Sequence, residues 1–354
     1  MGPTLSAYYR GWPQAAWVEV TYKPVLLELI SRISARVFVG EELCENQEWL
    51  DITKDYTMTL FVAVEALRQW PSWLRPVAHW FIPECRAVRA QVARARNIIQ
   101  PIIDCRRASN SAKQEAGEAM SKKADTIGWL DAAAKGRPYD VAAAQLGLSF
   151  AAIHTTTEML SGLIGDLCEN PELFDPLRKE ISTTLAAKGW TKAALHDLKL
   201  MDSVMKESQR HHFGDIAAMS RLADQTIKLS DGSVIPKGAF TMVSLEKMHD
   251  ETIFTQPDKF IGSRFFEMRQ NPGQENKWHF VTTSPEHLAF GHGKHACPGR
   301  FFAANEVKIA LCHLLLKYDW KFTQEGRKKD RVYGQMMDAD PTATVLIKRR
   351  KHEA

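Results

Sequence analysis

No stretch of this sequence approaches the roughly 18 consecutive apolar residues that a membrane-spanning helix needs. The N-terminus also lacks the charged-then-apolar layout of a secretion signal. A soluble, intracellular chain is the expectation. Six cysteines, at positions 44, 85, 105, 168, 297 and 312, show neither paired nor C-x-x-C spacing, which argues against a disulfide framework or structural zinc and fits a reducing compartment. An excess of one charge is missing too. The 46 basic and 42 acidic residues leave +4, too balanced to imply nucleic acid. The run Lys348-Arg349-Arg350-Lys351 reads as a solvated tail. With no Gly/Ser/Pro-rich linker, repeat or low-complexity tract, the 354 residues read as one large helix-rich domain.

Helical apolar spacing runs over Pro24–Val37, Met58–Gln69 and Cys85–Arg107, broken at Trp70-Pro71 and Ile82-Pro83. A flexible polar stretch is expected over Ser109–Lys123. A long helix follows, capped by Asp140 and running from Val141 to about Cys168, where Asn170-Pro171 ends it. Leu198–His211 is another helix. The period then changes: Ala218–Leu222, Thr226–Leu229 and Ala239–Val243 read as short strands, with Ser230–Ser233 as a hairpin turn. Gly299–Leu316 returns to helix, and Trp320–Phe322 and Thr344–Ile347 close the chain as strands.

The most informative run is F-G-H-G-K-H-A-C-P-G-R-F-F-A, Phe290 to Ala303. It sets Cys297 in a glycine-flanked loop entering a helix, where backbone N–H groups and the positive dipole end suit an anionic sulfur. Gly293 and Gly299 remove side chains where a flat ligand would approach the backbone. Pro298 lacks an N–H at a position where that N–H has no helical partner. A soft thiolate so placed is an axial ligand for haem iron. A lone cysteine beside a helix start is more often a buried structural residue. The spacing F-x-x-G-x-x-x-C-x-G-x-x-x-A, met by Phe290, Gly293, Cys297, Gly299 and Ala303, reverses that preference.

On these residues the sequence resembles the cytochromes P-450, and more narrowly the fungal enzymes that oxidise terpenoids and other secondary metabolites, from about Val25 to the C-terminus. The resemblance implies a mainly α fold with a minor β region, in which 140–168 is the long distal helix, 198–212 the E-x-x-R helix and 290–303 the cysteine loop. It also implies haem b, with Cys297 as the iron ligand. Glu207 and Arg210, an isolated pair worth under about 1 kcal/mol if exposed, become with Arg264 a buried structural triad. In A-A-I-H-T-T (Ala151–Thr156), Thr155 matches the threonine whose hydroxyl organises protons at bound oxygen; bonding back to its own i−4 carbonyl is the plain alternative. His154 stands where the family has an acid and could relay protons, and Ala152 stands where it has glycine. His295 and Arg221 match partners of the haem propionates. The adjacent His211 and His212 face different directions and have no companion ligand set for a metal.

By the same resemblance, substrate contacts come from Phe61–Trp80, Phe150–His154, Phe213–Ala217 and the Met336-Met337 turn, an apolar lining for a lipophilic molecule. Without a G-x-G-x-x-G strand–helix unit, electrons are expected from NADPH through a separate reductase. The family's N-terminal membrane anchor in the endoplasmic reticulum, its early strands and its first helices, one carrying W-x-x-x-R, are not recognisable; Trp12–Arg36 has no such motif. An N-terminally truncated cytochrome P-450 is therefore the expectation. It would act as an O2-dependent monooxygenase, with a P-450-type isomerase or dehydratase, or a non-catalytic fragment, as rivals.

Overall fold

The computed structural model describes residues 16–117, 123–212, 214–334 and 336–351. It forms two compact units, Val25–Thr157, and Met1–Pro24 with Glu158–Ala354. Among the described residues, no helix is long and apolar enough to cross a membrane.

Helices build the Val25–Thr157 unit: most of α1 (Tyr22–Phe38), α2 (Gln47–Arg68), α3 (Arg75–Ala78), α4 (Pro83–Glu115), α5 (Thr126–Ala134) and the first part of α6 (Val141–Glu169). Side-chain caps set their starts. Asn46 accepts from Trp49 N, Asp125 from Gly128 N, and Asp140 from Ala143 N at 3.1 Å, as expected for the long helix. α2 packs along α4, with Leu50 and Ile52 buried on the first and Ala95, Ile99 and Ile103 on the second. Two expectations need correction. α2 starts at Gln47, eleven residues before Met58, because Asn46 caps it there and the buried Trp49, Leu50 and Ile52 stand among polar residues that dilute the hydrophobic spacing. The polar stretch from Ser109 is helical as far as Glu115, since Ala, Lys, Gln and Glu favour helix and no glycine intervenes before Gly117; residues 118–122 lie outside the described residues.

The second unit holds the rest of α6, α7 (Phe174–Lys188), α8 (Lys192–Asp197), α9 (Lys199–His211), α10 (Arg264–Met268) and α11 (Arg300–Lys317). Its strands are β1 (Val18–Thr21), β2 (Ala217–Leu222), β3 (Ile227–Lys228), β4 (Val234–Ile235), β5 (Phe240–Ser244), β6 (Tyr318–Phe322), β7 (Arg331–Tyr333), β8 (Met336–Asp338) and β9 (Thr344–Arg349). An antiparallel sheet of order β1-β9-β6 pairs Val18 and Trp320 on either side of Ile347. β2–β5, β3–β4 and β7–β8 are two-stranded. The expected turn closes β3–β4, where Leu229 N donates to Ser233 O and Asp231 Oδ1 accepts from Ser233 N. β1, β7 and β8 were not expected: each is short and pairs through contacts that local patterning does not carry.

Asn46→Ala should lower the denaturation midpoint by the equivalent of about 1 kcal/mol, and Asn46→Asp should retain parental stability. Equal midpoints for Asn46→Ala and the parent would show that the cap does not set the start of α2.

Candidate functional site

The chain enters the cysteine loop through a tight set of backbone bonds. Gly291 N donates to Leu288 O at 2.7 Å, Ala296 N to Gly293 O at 3.1 Å, and Cys297 N to Phe290 O at 2.8 Å. The last bond closes the loop across the motif. Gly293 has φ +71°, a left-handed conformation that favours glycine. A Cβ there would meet no atom within 4 Å, and one on Gly299 would meet only Cys297 Sγ, at 3.9 Å. The loop is therefore closed behind and open in front of a half-buried sulfur. α11 begins at once, with Ala303 N donating to Gly299 O. Phe290 packs edge-on against Phe280, ring centres 5.2 Å apart. His295 is exposed, in the short turn Gly293–His295.

The buried Lys206 and Asp202 and the half-buried Arg300 hold the turn at residues 280–282 that leads toward this loop. Phe280 N donates to Asp202 Oδ2, Arg300 Nε to Val281 O, and the Lys206 ammonium to Thr282 O. Arg300 also reaches Cys297 O at 2.7 Å. Asp202 in turn accepts from Lys308 Nζ at 2.7 Å and Arg269 Nη1 at 3.2 Å, joining α9 to α11. Burial pushes Lys206 down to about 7, with Asp202 opposing the shift and Arg269 adding to it. Sequence reading missed this set. Its members stand 106 residues apart in the Lys308–Asp202 pair, and each alone reads as a solvated helix charge.

The expected triad forms beside it. Glu207 and Arg210 are fully buried and Arg264 nearly so. Arg210 Nε donates to Glu207 Oε2 at 2.9 Å and Nη2 to Oε1 at 3.0 Å; Arg264 Nε lies 3.0 Å from both oxygens. Ile261 N adds a fourth donor group. Further guanidinium N–H groups go to the carbonyls of Met248, Thr255, Gln256 and Lys259, and Arg210 Nη2 also lies 2.7 Å from His211 Nε2. Burial alone would raise the Glu207 pKa. His211, Arg210 and Arg264 outweigh it and hold the group at about 2.

Other expected site residues take the following positions. In the Val25–Thr157 unit, the exposed Thr155 hydroxyl donates to Ala151 O at 2.7 Å, the i−4 bond of the plain alternative. His154 Nε2 donates to Lys54 O at 2.8 Å, so proton transfer through this ring would run through Nδ1. Phe61 and Phe150 are brought together, centroids 5.6 Å apart. In the other unit, Arg221 is exposed on β2, just past a bulge where Met219 takes φ +56°. Its guanidinium donates to Ser220 O. His211 turns toward Glu207, and His212 toward Asp166 and Asp330. Met336 and Met337 lie in strand β8 rather than in a turn, because they pair antiparallel with β7, and Met336 also bridges to Asp215. Phe213 lies outside the described residues.

The family model for cytochrome P450 matches residues 14–347. A cytochrome P450 monooxygenase 1 of Gibberella fujikuroi is 48% identical over 339 residues, covering 95% of this chain and 77% of that protein. The monooxygenase esdpI of Penicillium shearii is 48% identical over 98% of this chain and 68% of its own length. For ntnM of a Nectria species the values are 45%, 95% and 64%. A retinoic acid-bound cyanobacterial CYP120A1 shares the fold, with a TM-score of 0.72 over 98% of this chain and 73% of that one, at 21% identity. The chain belongs to the cytochrome P450 family, and its similar relatives are fungal P450 monooxygenases.

Glu207 is depressed in the folded state, so its contribution is present above the unfolded carboxylate pKa of about 4.3 and is lost as pH falls through about 2. Urea titrations between pH 5 and pH 2 should show a loss on the order of 3 kcal/mol assignable to this group. Glu207→Gln should remove most of that dependence while costing several kcal/mol at pH 7. An unchanged acid limb in the variant would mean that other carboxylates carry it.

Proposed function

We propose that this chain uses haem b to insert one oxygen atom from O2 into a lipophilic secondary metabolite, terpenoid by preference, with electrons from NADPH through a separate reductase. The Cys297 loop is the observation that carries this reading. Its sulfur sits at the mouth of α11, and the two glycines leave open space where a flat macrocycle needs it. Cys297 would supply the axial thiolate, and the bound haem would supply oxygen activation. Arg300, Lys206 and Asp202 fix the loop from behind. His295 and Arg221 are assigned to the propionates, and Thr155 and His154 to proton handling, on their motif positions. To serve, Thr155 must share or release its bond to Ala151 O.

A second reading, P-450-type isomerisation or dehydration, draws on one observation: the His154 and Thr155 side chains both bond backbone carbonyls within their own unit. Turnover without O2 and NADPH distinguishes it from the first.

The reduced, CO-bound protein should show the red-shifted Soret band of thiolate ligation, and Cys297→Ser should abolish it. Loss of the band in Cys312→Ser instead would refute the loop assignment. Thr155→Ala should divert reducing equivalents to peroxide, with product falling and haem content unchanged. Equal coupling in variant and parent would leave Thr155 a packing residue, and coupling in His154→Phe that matches the parent at every pH would do the same for its neighbour.

A further inference from the structure

We propose that His212, clamped between Asp166 and Asp330 and backed by Arg327, is a positioning residue that fixes the β7–β8 hairpin against Gly214–Ala217. Through that hairpin it fixes the wall which Met336 and Met337 offer to substrate. The last step rests on the monooxygenase reading; the positioning itself does not.

α6 is shaped to receive these side chains. A Cβ on Gly162 would come within 3.1–3.3 Å of His212 Cβ, Cγ and Cδ2, and one on Gly165 within 3.1 Å of Arg327 Cζ. The imidazole and guanidinium thus lie directly on the helix backbone. His212 Nε2 is 2.9 Å from Asp166 Oδ1, and Nδ1 is 2.8 Å from Asp330 Oδ2. Carboxylate oxygens only accept, so an imidazolium with two N–H donors satisfies both. Arg327 Nη1 also donates to Asp166 Oδ1 and Glu169 Oε2. One contact opposes the charged ring: Arg327 Nη2 lies 2.9 Å from Nε2. Three carboxylates, Asp166, Glu169 and Asp330, face the two cations, and a neutral ring, with one N–H only, would leave either Asp166 Oδ1 or Asp330 Oδ2 against a nitrogen lone pair. Burial lowers the His212 pKa, but Asp166 and Asp330 prevail and raise it to about 9.

The clamp closes a ring of contacts. Asp330 immediately precedes β7. Beyond β8, Ala339 N donates to Glu158 Oε2 at 3.0 Å and Ala339 O accepts from Lys23 Nζ at 2.8 Å, with Lys23 paired to Glu158. The C-terminal part of α6 therefore grips the hairpin at both bases. Two residues after His212, Gly214 O accepts from Met337 N at 2.7 Å, and Asp215 bridges Met336. Asp330, His212, Gly214 and Met337 form one closed circuit, so the side chain that anchors the hairpin base also anchors the segment that its second strand pairs with. His211 on α9, Tyr22 and Lys23 at the start of α1, and Cys168 on α6 are further titratable groups within electrostatic reach.

The sign follows from the raised value. Clamping is complete below the unfolded histidine pKa of about 6.5 and is lost as pH rises through about 9. Hydrogen exchange of the full chain, corrected for intrinsic rates, tests this without turnover or bound haem. In the parent, the Met337 and Ala339 amides should open at least tenfold more between pH 6.5 and 9.5, while α11 amides hold. His212→Gln should show that opening already at pH 6.5, and His212→Arg should restore protection and flatten the pH profile. Asp330→Asn, in the segment just before β7, should reproduce His212→Gln if that variant folds poorly. A parental profile flat to pH 9.5 would overturn the proposal, as would loosening of α11 together with the hairpin, or no rescue by arginine. Failure of the CO-difference band leaves this outcome unaffected, so the two readings fail separately.

Discussion

The buried Glu207 carboxylate, shared by two guanidinium groups, is the interaction on which the cysteine-bearing unit depends. Taking an ion out of water costs several kcal/mol, and only a complete set of donors compensates. Here Arg210, Arg264 and Ile261 N complete it. Each guanidinium then sends further N–H groups to carbonyls between Met248 and Lys259, and Arg210 also meets the His211 ring. One charge thus fixes a helix, an irregular segment of chain and the start of α10 in a single arrangement. Removing any member leaves the others buried and unpaired, so the geometry has no nearby alternative.

That constraint explains why α9 is buried along its length although most of its residues are polar. With Glu207 and Arg210 committed, the same helix presents Asp202 and Lys206 to Phe280 N and Thr282 O, and Ser203 to Gly262 O and Phe266 N. The route from triad to cysteine is short: α9 holds residues 280 and 282, and Arg300 ties Val281 O to Cys297 O. The loop is positioned from behind by side chains whose partners are backbone groups. A backbone partner tolerates sequence change in the residue that carries it.

Legibility in the sequence follows the same division. The cysteine loop was readable because its backbone demands particular residues at particular offsets: glycine at φ +71° for Gly293, and proline where no N–H is needed. Arg264 was readable from its motif. Asp202, Lys308 and Arg300 were not, because a charged residue on a helix gives no sign of whether a remote partner awaits it. β1 was hidden for a related reason. Its four residues acquire strand character only by pairing with β9, more than 300 positions away. Helix interiors were read well and polar helix ends poorly, as the start at Gln47 and the extension to Glu115 show. His212 was weighed as a metal ligand and set aside, and its carboxylate partners on α6 and before β7 were not seen.

The two kinds of site residue therefore carry different constraints. Cys297 and its glycines are fixed by backbone geometry, and few substitutions preserve the closing bond to Phe290 O. The polar pair in A-I-H-T-T is fixed only by side-chain chemistry on a regular helix, where the backbone accepts histidine in place of an acid, or alanine in place of glycine, at little cost. Ala152 and His154 depart from the family pattern, whereas the cysteine loop does not. The cysteine loop is then set by folding, while the polar side chains on the regular helix are free to vary on the same scaffold.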